Sequence, residues 1–322
     1  MKSQPSNINL RALLLPLLVV AFSCATAVAQ VKAPPMRSSS APAKQKTFTT
    51  PELAAQALIK AAESNDVPAL LQLFGPEGKD LVTTADPVRD KEKIEEFVAK
   101  AREKNSVTVN KTQATLLIGN DEWPVPVPIV KGQGMWSFDT KAGHDEILFR
   151  RIGSNELDAI RICRGFVDAQ KEYASTIHDD SGVHQYAQKI ISTPGKQDGL
   201  FWRNADGSPG GPVSEAVAHA IEEGYSEKSR TPYHGYYFKV LKGQGPAAPL
   251  GELDYLVKGM MIGGFALVAV PAEYRVTGVK SFIVSHDGIV YEKDLGPDSI
   301  KLGKAMERYN PDRTWRATND EM

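Results

Sequence analysis

The stretch SNELDAIRICRGFVDAQKEYA, residues 154–174, carries the clearest structural pattern in the chain. Apolar residues recur there at the three- and four-residue spacing of an α-helix, and charged residues occupy the opposite side. The pattern predicts a long helix that buries one wide face against other elements. That face consists of Ala159, Ile162, Cys163, Phe166, Val167, Ala169 and Tyr173.

The sequence after this helix is dominated by β-prone runs at residues 233–241, 263–270, 279–285 and 289–293. The last two runs are separated by His286-Asp287-Gly288, a tight hairpin signal. We therefore expect residues 153–322 to form an α+β domain in which the long helix packs on a small antiparallel sheet. The charged residues after Lys304 lack periodicity, which predicts a frayed C-terminal tail.

The sequence before the long helix predicts a second α+β domain over residues 49–152. Three helical patterns come first: one capped by Thr49 with Glu52 in a capping box, one capped by Asp66, and one over residues 87–104. Strand patterns follow at residues 106–118, 123–129 and 135–138, and the prolines of the middle run predict an edge strand. This order of elements resembles the cone-shaped domains related to nuclear transport factor 2.

The N-terminus has the pattern of a secretory signal peptide over residues 1–29. A basic segment ends at Arg11, an apolar run of about eleven residues follows, and Ala27-Val28-Ala29 predicts cleavage after Ala29. That run is shorter than a membrane-spanning helix, so we expect a mature periplasmic chain without a transmembrane span. The alternative is lipidation of Cys24, which would anchor the chain in the cell envelope. Residues 30–48 are rich in Pro, Ser and Ala and predict a disordered linker.

Composition argues against several classes of function. The 322 residues carry a formal net charge of −1 and no cluster of Lys or Arg, so no nucleic-acid partner is expected. The chain has no nucleophile elbow, no phosphate-binding loop and no dinucleotide fingerprint, so we expect no cofactor and no catalytic residue. Cys163 lies on the apolar face of the long helix and is expected to be a buried small hydrophobe.

Two segments contain residue types that bind metals. His178, Asp179, Asp180 and His184 lie within seven residues, although their spacing matches no zinc signature. Asp206 lies in a segment whose oxygen spacing is similar to a calcium-binding EF-hand loop, but Pro209 occupies the position that requires glycine. We therefore expect no metal, with His178, Asp180, His184 and Asp206 as the minor candidates.

Four aromatic residues are candidates for a ligand or partner surface: Trp123, Trp136, Tyr233 and Tyr236. Alternation along a strand places Tyr236 and Tyr237 on opposite faces, so at least one of them is expected in the core. Core packing is the favoured interpretation for the whole set.

Several blocks together resemble the bacterial domain-of-unknown-function family 2950. They are residues 155–174, 233–238, 271–274 and 287–296. The same blocks are similar to the globular part of type IV pilins and pseudopilins, in which a helix precedes a sheet. In a pilin the apolar leader stays joined to that helix, whereas about 125 residues separate them here. The resemblance implies compartment and architecture, and no chemistry.

The sequence thus favours an exported envelope protein that acts as a non-catalytic binding or assembly module, with an envelope protein or a small ligand as partner. One alternative is a small-molecule binder or hydrolase with a pocket in the N-terminal domain, which predicts that Trp123 or Trp136 lines that pocket. A pseudopilin-related structural component is the third hypothesis.

Overall fold

The computed structural model describes residues 45–83, 87–215, 217–219 and 232–318 of the chain. The predicted leader with Cys24 and Ala29, and most of the predicted linker, lie outside these residues. The described part combines helices with mainly antiparallel sheets, which confirms the α+β class. None of its helices has the length and apolar character needed to cross a membrane.

Side-chain caps start the first two helices. Thr50 accepts a hydrogen bond from the N–H of Leu53 at 3.3 Å, so the cap lies one residue after the predicted Thr49. Asp66 caps the second helix as predicted and accepts from the N–H of Ala69 at 3.0 Å. Such caps satisfy N–H groups that the first turn leaves free. The α-helices that lie wholly within the described ranges are α1 Pro51–Glu63, α2 Val67–Phe74, α3 Lys79–Val82, α4 Pro87–Glu103, α5 Thr140–Tyr173 and α6 Ser299–Ala305.

The first sheet follows α4 and is antiparallel throughout. Its spatial order is β1-β2-β4-β5, with β3 beside β2. The predicted strand at residues 106–118 is divided into two by a turn at Lys111, which has a positive φ of 54°. Alternating burial along β2 turns one face toward α4. The strands are β1 Asn105–Asn110, β2 Gln113–Ile118, β3 Trp123–Pro124, β4 Ile129–Gly132 and β5 Met135–Phe138.

Helix α5 has 34 residues and begins well before the predicted start at residue 154. Asp139 caps it and accepts from the N–H of Ala142 at 3.0 Å. Gly143 in its first turns permits close packing, because a Cβ there would lie 2.7 Å from Val127 Cγ2. The domain boundary predicted at residues 152–153 therefore falls inside a continuous helix.

The described chain after α5 forms a large antiparallel sheet and several small ones. The large sheet has the order β17-β16-β15-β14-β9, and α5 packs against β14 and β15. The four predicted strand runs all occur in it, and the turn 286–288 joins β15 to β16 as predicted. The strands are β6 Lys189–Ile191, β7 Gly199–Arg203, β8 Pro209–Gly210, β9 Tyr236–Leu241, β10 Gly243–Gln244, β11 Leu253–Asp254, β12 Leu256–Val257, β13 Met260–Met261, β14 Ala266–Pro271, β15 Lys280–Ser285, β16 Val290–Asp294 and β17 Arg316–Ala317.

The buried apolar residues form two hydrophobic clusters. The first lies between Ala54 and Phe138 in the sequence, and the second between Ala159 and Trp315. The apolar face predicted for residues 159–173 belongs to the second cluster, apart from Ile162, which packs at its margin. Cys163 is completely buried in it, and this burial raises the pKa of its thiol to about 12.

The C-terminal segment differs from the predicted frayed tail over residues 305–318. Tyr309 is fully buried, and its backbone exchanges hydrogen bonds with Gly243 and Gly245 at 2.9 and 2.8 Å. Arg316 and Ala317 pair with β16. The segment is irregular and is held by a few single residues, so its sequence has no periodic pattern that could have predicted these contacts. Residues 319–322 lie outside the described part.

A carboxylate on α5 connects the helix to the large sheet. Glu156 Oε1 accepts hydrogen bonds from the N–H groups of Val279 at 2.8 Å and Lys280 at 3.0 Å. One residue earlier, Asn155 donates to the carbonyl of Thr277 at 2.8 Å. Gly278 lies between these contacts, and a Cβ there would lie 2.1 Å from the Tyr236 hydroxyl oxygen. The helix, the turn before β15 and β9 therefore pack at one point.

Replacement of Glu156 tests this connection. Glu156→Ala leaves two backbone N–H groups without their acceptor, so we expect the free energy of unfolding to fall by about 1–3 kcal/mol. Glu172→Ala on the same helix removes an exposed carboxylate and should change it by less than about 0.5 kcal/mol. Urea unfolding measures both. Equal effects of the two substitutions would contradict the assigned role of Glu156.

Candidate functional site

A polar cleft of about 570 Å³ lies at the C-terminal end of α5. We use the name polar cleft for the space bounded by Tyr173, the 178–180 segment, the 185–188 segment, the 195–198 segment and the turn 258–260. It includes two of the sequence-predicted metal candidates, His178 and Asp180. Its walls consist of three separate loops.

His178 is held in place on one wall of the polar cleft. Its ring stacks on Tyr173 with centroids 4.0 Å apart and an interplanar angle of 19°. Nε2 lies 2.8 Å from the Tyr173 carbonyl oxygen and 2.8 Å from Thr176 Oγ1, and Nδ1 lies 3.1 Å from Gln197 Oε1. Both ring nitrogens are therefore engaged by protein oxygens, and the imidazole acts as a fixed part of the wall.

Asp179 orders the loop that follows His178. Its carboxylate accepts from the N–H of Ser181 at 3.0 Å and from the side chain of Gln185 at 2.6 Å. Hydrogen bonding to Ser181 holds the pKa of Asp179 below its usual value. The neighbouring Asp180 has an exposed carboxylate without a hydrogen bond or ion pair to another described residue. It lines the polar cleft as a free negative charge.

Asp198 orders the second wall, the loop between β6 and β7. It accepts from the N–H and the hydroxyl of Thr193, each at 2.7 Å, and from the Lys189 ammonium at 3.1 Å. Burial raises the pKa of Asp198, but the hydrogen bonds from Thr193 and Lys189 outweigh this effect, and the net shift is downward. Lys196 in the same loop is exposed, and its ammonium group has no partner among the described residues.

The third wall is the turn of the β12–β13 hairpin. Lys258 and Gly259 have positive φ angles of 50° and 83°, as a two-residue hairpin turn requires. Gln188 donates to the Gly259 carbonyl at 2.7 Å and joins this turn to the 185–188 segment. Lys258 is exposed, and no described residue pairs with its ammonium group. The charged side chains of the polar cleft that have no hydrogen-bond or ion-pair partner among the described residues are thus Asp180, Lys196 and Lys258.

The other two metal candidates lie outside the polar cleft. His184 is exposed, and its Nδ1 lies 2.8 Å from the Ala174 carbonyl oxygen. Asp206 accepts from the N–H and hydroxyl of Ser208 at 2.9 and 2.6 Å, and this hydroxyl lowers the pKa of Asp206. Glu215, the last position of the EF-hand-like spacing, pairs with Arg203. Over the described ranges, no group of three or more His, Cys, Asp or Glu residues could hold a metal ion.

The four aromatic candidates have different positions in the structure. Tyr236 is fully buried and donates to the Lys280 carbonyl at 2.8 Å, and Trp136 is also buried. Tyr233 is half-buried beside His234, with ring centroids 4.4 Å apart. Trp123 is 39% exposed, and the Arg150 guanidinium lies 4.7 Å from the centre of its ring. These residues do not meet in one surface.

An apolar cavity of about 200 Å³ lies among the first four helices. Its walls include Leu58, Leu70, Phe74, Ile94 and Phe97. Trp123 and Trp136 do not line it, contrary to what the hypothesis of a pocket in the N-terminal domain predicts. The cavity has room for one small apolar molecule.

Sequence reasoning missed most of the polar cleft. It identified the 178–184 segment but not the facing groups Lys196, Asp198 and Lys258. The sequence does indicate turns at Pro194-Gly195 and Lys258-Gly259. No local pattern shows that two loops about 60 residues apart face each other.

The lowered pKa of Asp198 has a consequence for stability. The folded state holds the pKa of this carboxyl below its usual value of 3.8, so the unfolded state binds more protons in acid. The contribution of Asp198 to the free energy of unfolding is therefore lost as the pH falls from about 4. We expect Asp198→Asn to be less stable than wild type at neutral pH and to lose less stability between about pH 4 and pH 2. Asp180→Asn, a change at an exposed and unpaired carboxylate, is the control and should follow wild type. Chemical unfolding at a series of pH values measures this, and parallel profiles for Asp198→Asn and wild type would contradict it.

Comparison with known proteins gives one match. The family model described as "Protein of unknown function (DUF2950)" matches residues 45–318. No curated protein and no solved structure matches the chain. The matched range covers the α+β fold, both hydrophobic clusters and the polar cleft, and it includes every block on which the family resemblance rests. The chain therefore belongs to the DUF2950 family of proteins of unknown function.

Proposed function

We propose that this protein is an exported, non-catalytic binding module of the cell envelope, and that its polar cleft holds a small polar solute carrying a carboxylate group. Export is supported by the leader pattern of residues 1–29, with cleavage after Ala29 as the expected route to the periplasm. The observation that carries the proposal is the polar cleft itself, a preformed concave site of about 570 Å³ lined by polar groups.

The walls of the polar cleft are ordered before any ligand arrives. Asp179 and Asp198 use their carboxylates within their own loops, and Gln188 joins the facing hairpin turn. A site whose side chains are already fixed loses little conformational entropy when a ligand binds. This supports a role in recognition.

The free groups of the polar cleft indicate the charge of the solute. Three carboxylates line the polar cleft with Lys196 and Lys258, but those of Asp179 and Asp198 already accept hydrogen bonds from the protein. The ammonium groups of the two lysines have no partner among the described residues, so they are the donors open to an anionic group. A carboxylate can accept hydrogen bonds from both ammonium groups. Both ring nitrogens of His178 are engaged, and Cys163 is buried as a neutral thiol, so neither is placed as a base or nucleophile for the bound solute.

Binding can be tested with defined solutes. We expect succinate, L-glutamate or the dipeptide Ala-Ala to bind in isothermal titration calorimetry, and glucose to bind more weakly than the best of them. Combining Lys196→Ala with Lys258→Ala should lower the affinity for the best ligand by about tenfold or more, because two charged hydrogen-bond donors are lost.

The matched control is the double variant Lys141→Ala with Lys301→Ala, which removes two exposed lysines outside the polar cleft. It should bind like wild type. The proposal fails if none of the three carboxylate-bearing solutes binds, or if the Lys196/Lys258 variant binds as tightly as the control.

A further inference from the structure

Strand β1 forms an open edge of the first sheet. Within the described part of the chain it pairs only with β2, and five of its six residues are exposed. Among these exposed residues is the apolar Val109, which is 48% exposed. Beyond the β1–β2 pair, no described backbone group bonds to residues 106–110.

The register shows which backbone groups point outward. Leu116 accepts from the N–H of Val125, and Thr112 accepts from that of Lys131, each at 2.8 Å. The even-numbered residues of β2 therefore turn their backbone toward β3 and β4, and the odd-numbered ones turn toward β1.

The odd-numbered residues Gln113, Thr115 and Leu117 lie opposite Asn110, Thr108 and Ser106. These three β1 residues consequently bond to β2. The N–H and C=O groups of Val107 and Val109 point away from the sheet and remain open for another strand.

The composition of β1 suits pairing with a copy of itself. The sequence Asn-Ser-Val-Thr-Val-Asn contains no charge, no proline and no glycine. Strands of this kind lack the features by which sheet edges usually avoid pairing.

We propose that β1 pairs antiparallel with β1 of a second copy of the chain, about a two-fold axis at Thr108. Val107 then lies opposite Val109 of the partner subunit, and the two residues exchange both backbone hydrogen bonds. Thr108 lies opposite Thr108 of the partner subunit, and Ser106 lies opposite Asn110 of the partner subunit.

This register also separates the flanking charges. Lys111 lies opposite Asn105 of the partner subunit, so no two lysines face each other across the new pair. Valines meet on one face and small polar residues on the other, as favourable cross-strand pairs require. The two first sheets become one continuous sheet, and the contact is isologous.

The test is sedimentation velocity combined with amide-resolved hydrogen exchange on the full mature chain. Because one strand pair is a small interface, we expect dimerisation in the range of roughly micromolar to millimolar concentration. In the dimer the amides of Val107 and Val109 should become protected as concentration rises. Those of Ser106, Thr108 and Asn110 should be protected at every concentration.

Val109→Pro removes an outward N–H and leaves every β1–β2 hydrogen bond intact, since proline is tolerated at a strand edge. It should sediment as a monomer with wild-type circular dichroism, whereas Val109→Thr keeps the N–H and should still dimerise. Three results would overturn the proposal: a monomer at all concentrations, a dimer that persists in Val109→Pro, or concentration-independent protection of Val107 and Val109. The last result would mean that another part of the same chain covers the edge.

Discussion

The continuous backbone hydrogen bonding of α5 is the constraint on which the rest of the structure depends. At about 1.5 Å per residue, its 34 residues span roughly 50 Å. Its first turns contact the first hydrophobic cluster, where Gly143 packs on Val127, and its last half belongs to the second. In between, Arg150 donates to the Pro124 carbonyl at 2.9 Å, while Glu156 binds the turn before β15. The two sheets are therefore positioned by contacts along one helix.

The polar cleft also depends on this helix. Tyr173, the last residue of α5, donates its hydroxyl to the Gln197 carbonyl and stacks under His178. Gln170, one turn earlier, is fully buried and exchanges two hydrogen bonds with Ala187, at 2.8 and 2.9 Å. The end of the helix thus orients the loops on either side of the polar cleft. A change in the path of α5 would move those loops with it.

Local patterns were sufficient for the elements but not for the site. Sequence alone predicts the apolar face at residues 159–173 and the four strand runs, because their residue patterns repeat. It also predicts the start of α2, because Asp66 is a typical N-cap residue. The first part of α5 was missed because Gly143 and Gly153 weaken the helical pattern and Phe149 is 64% exposed. Lys196 and Lys258 could not be associated with His178, because only the tertiary fold brings their loops together. Trp136 and Tyr236 had the composition of a binding surface, but strand alternation turns them into the core.

The most direct test of the central claim is amide-resolved hydrogen exchange through the middle of α5, at residues 150–156. If α5 is one unbroken helix between two cores, these amides should exchange nearly as slowly as those of residues 160–166, despite the glycine at 153. If Gly153 is instead a hinge between independent domains, the amides just after it should exchange as fast as those of exposed loops. That result would contradict the account, because the sheets would then no longer be held by a single helix.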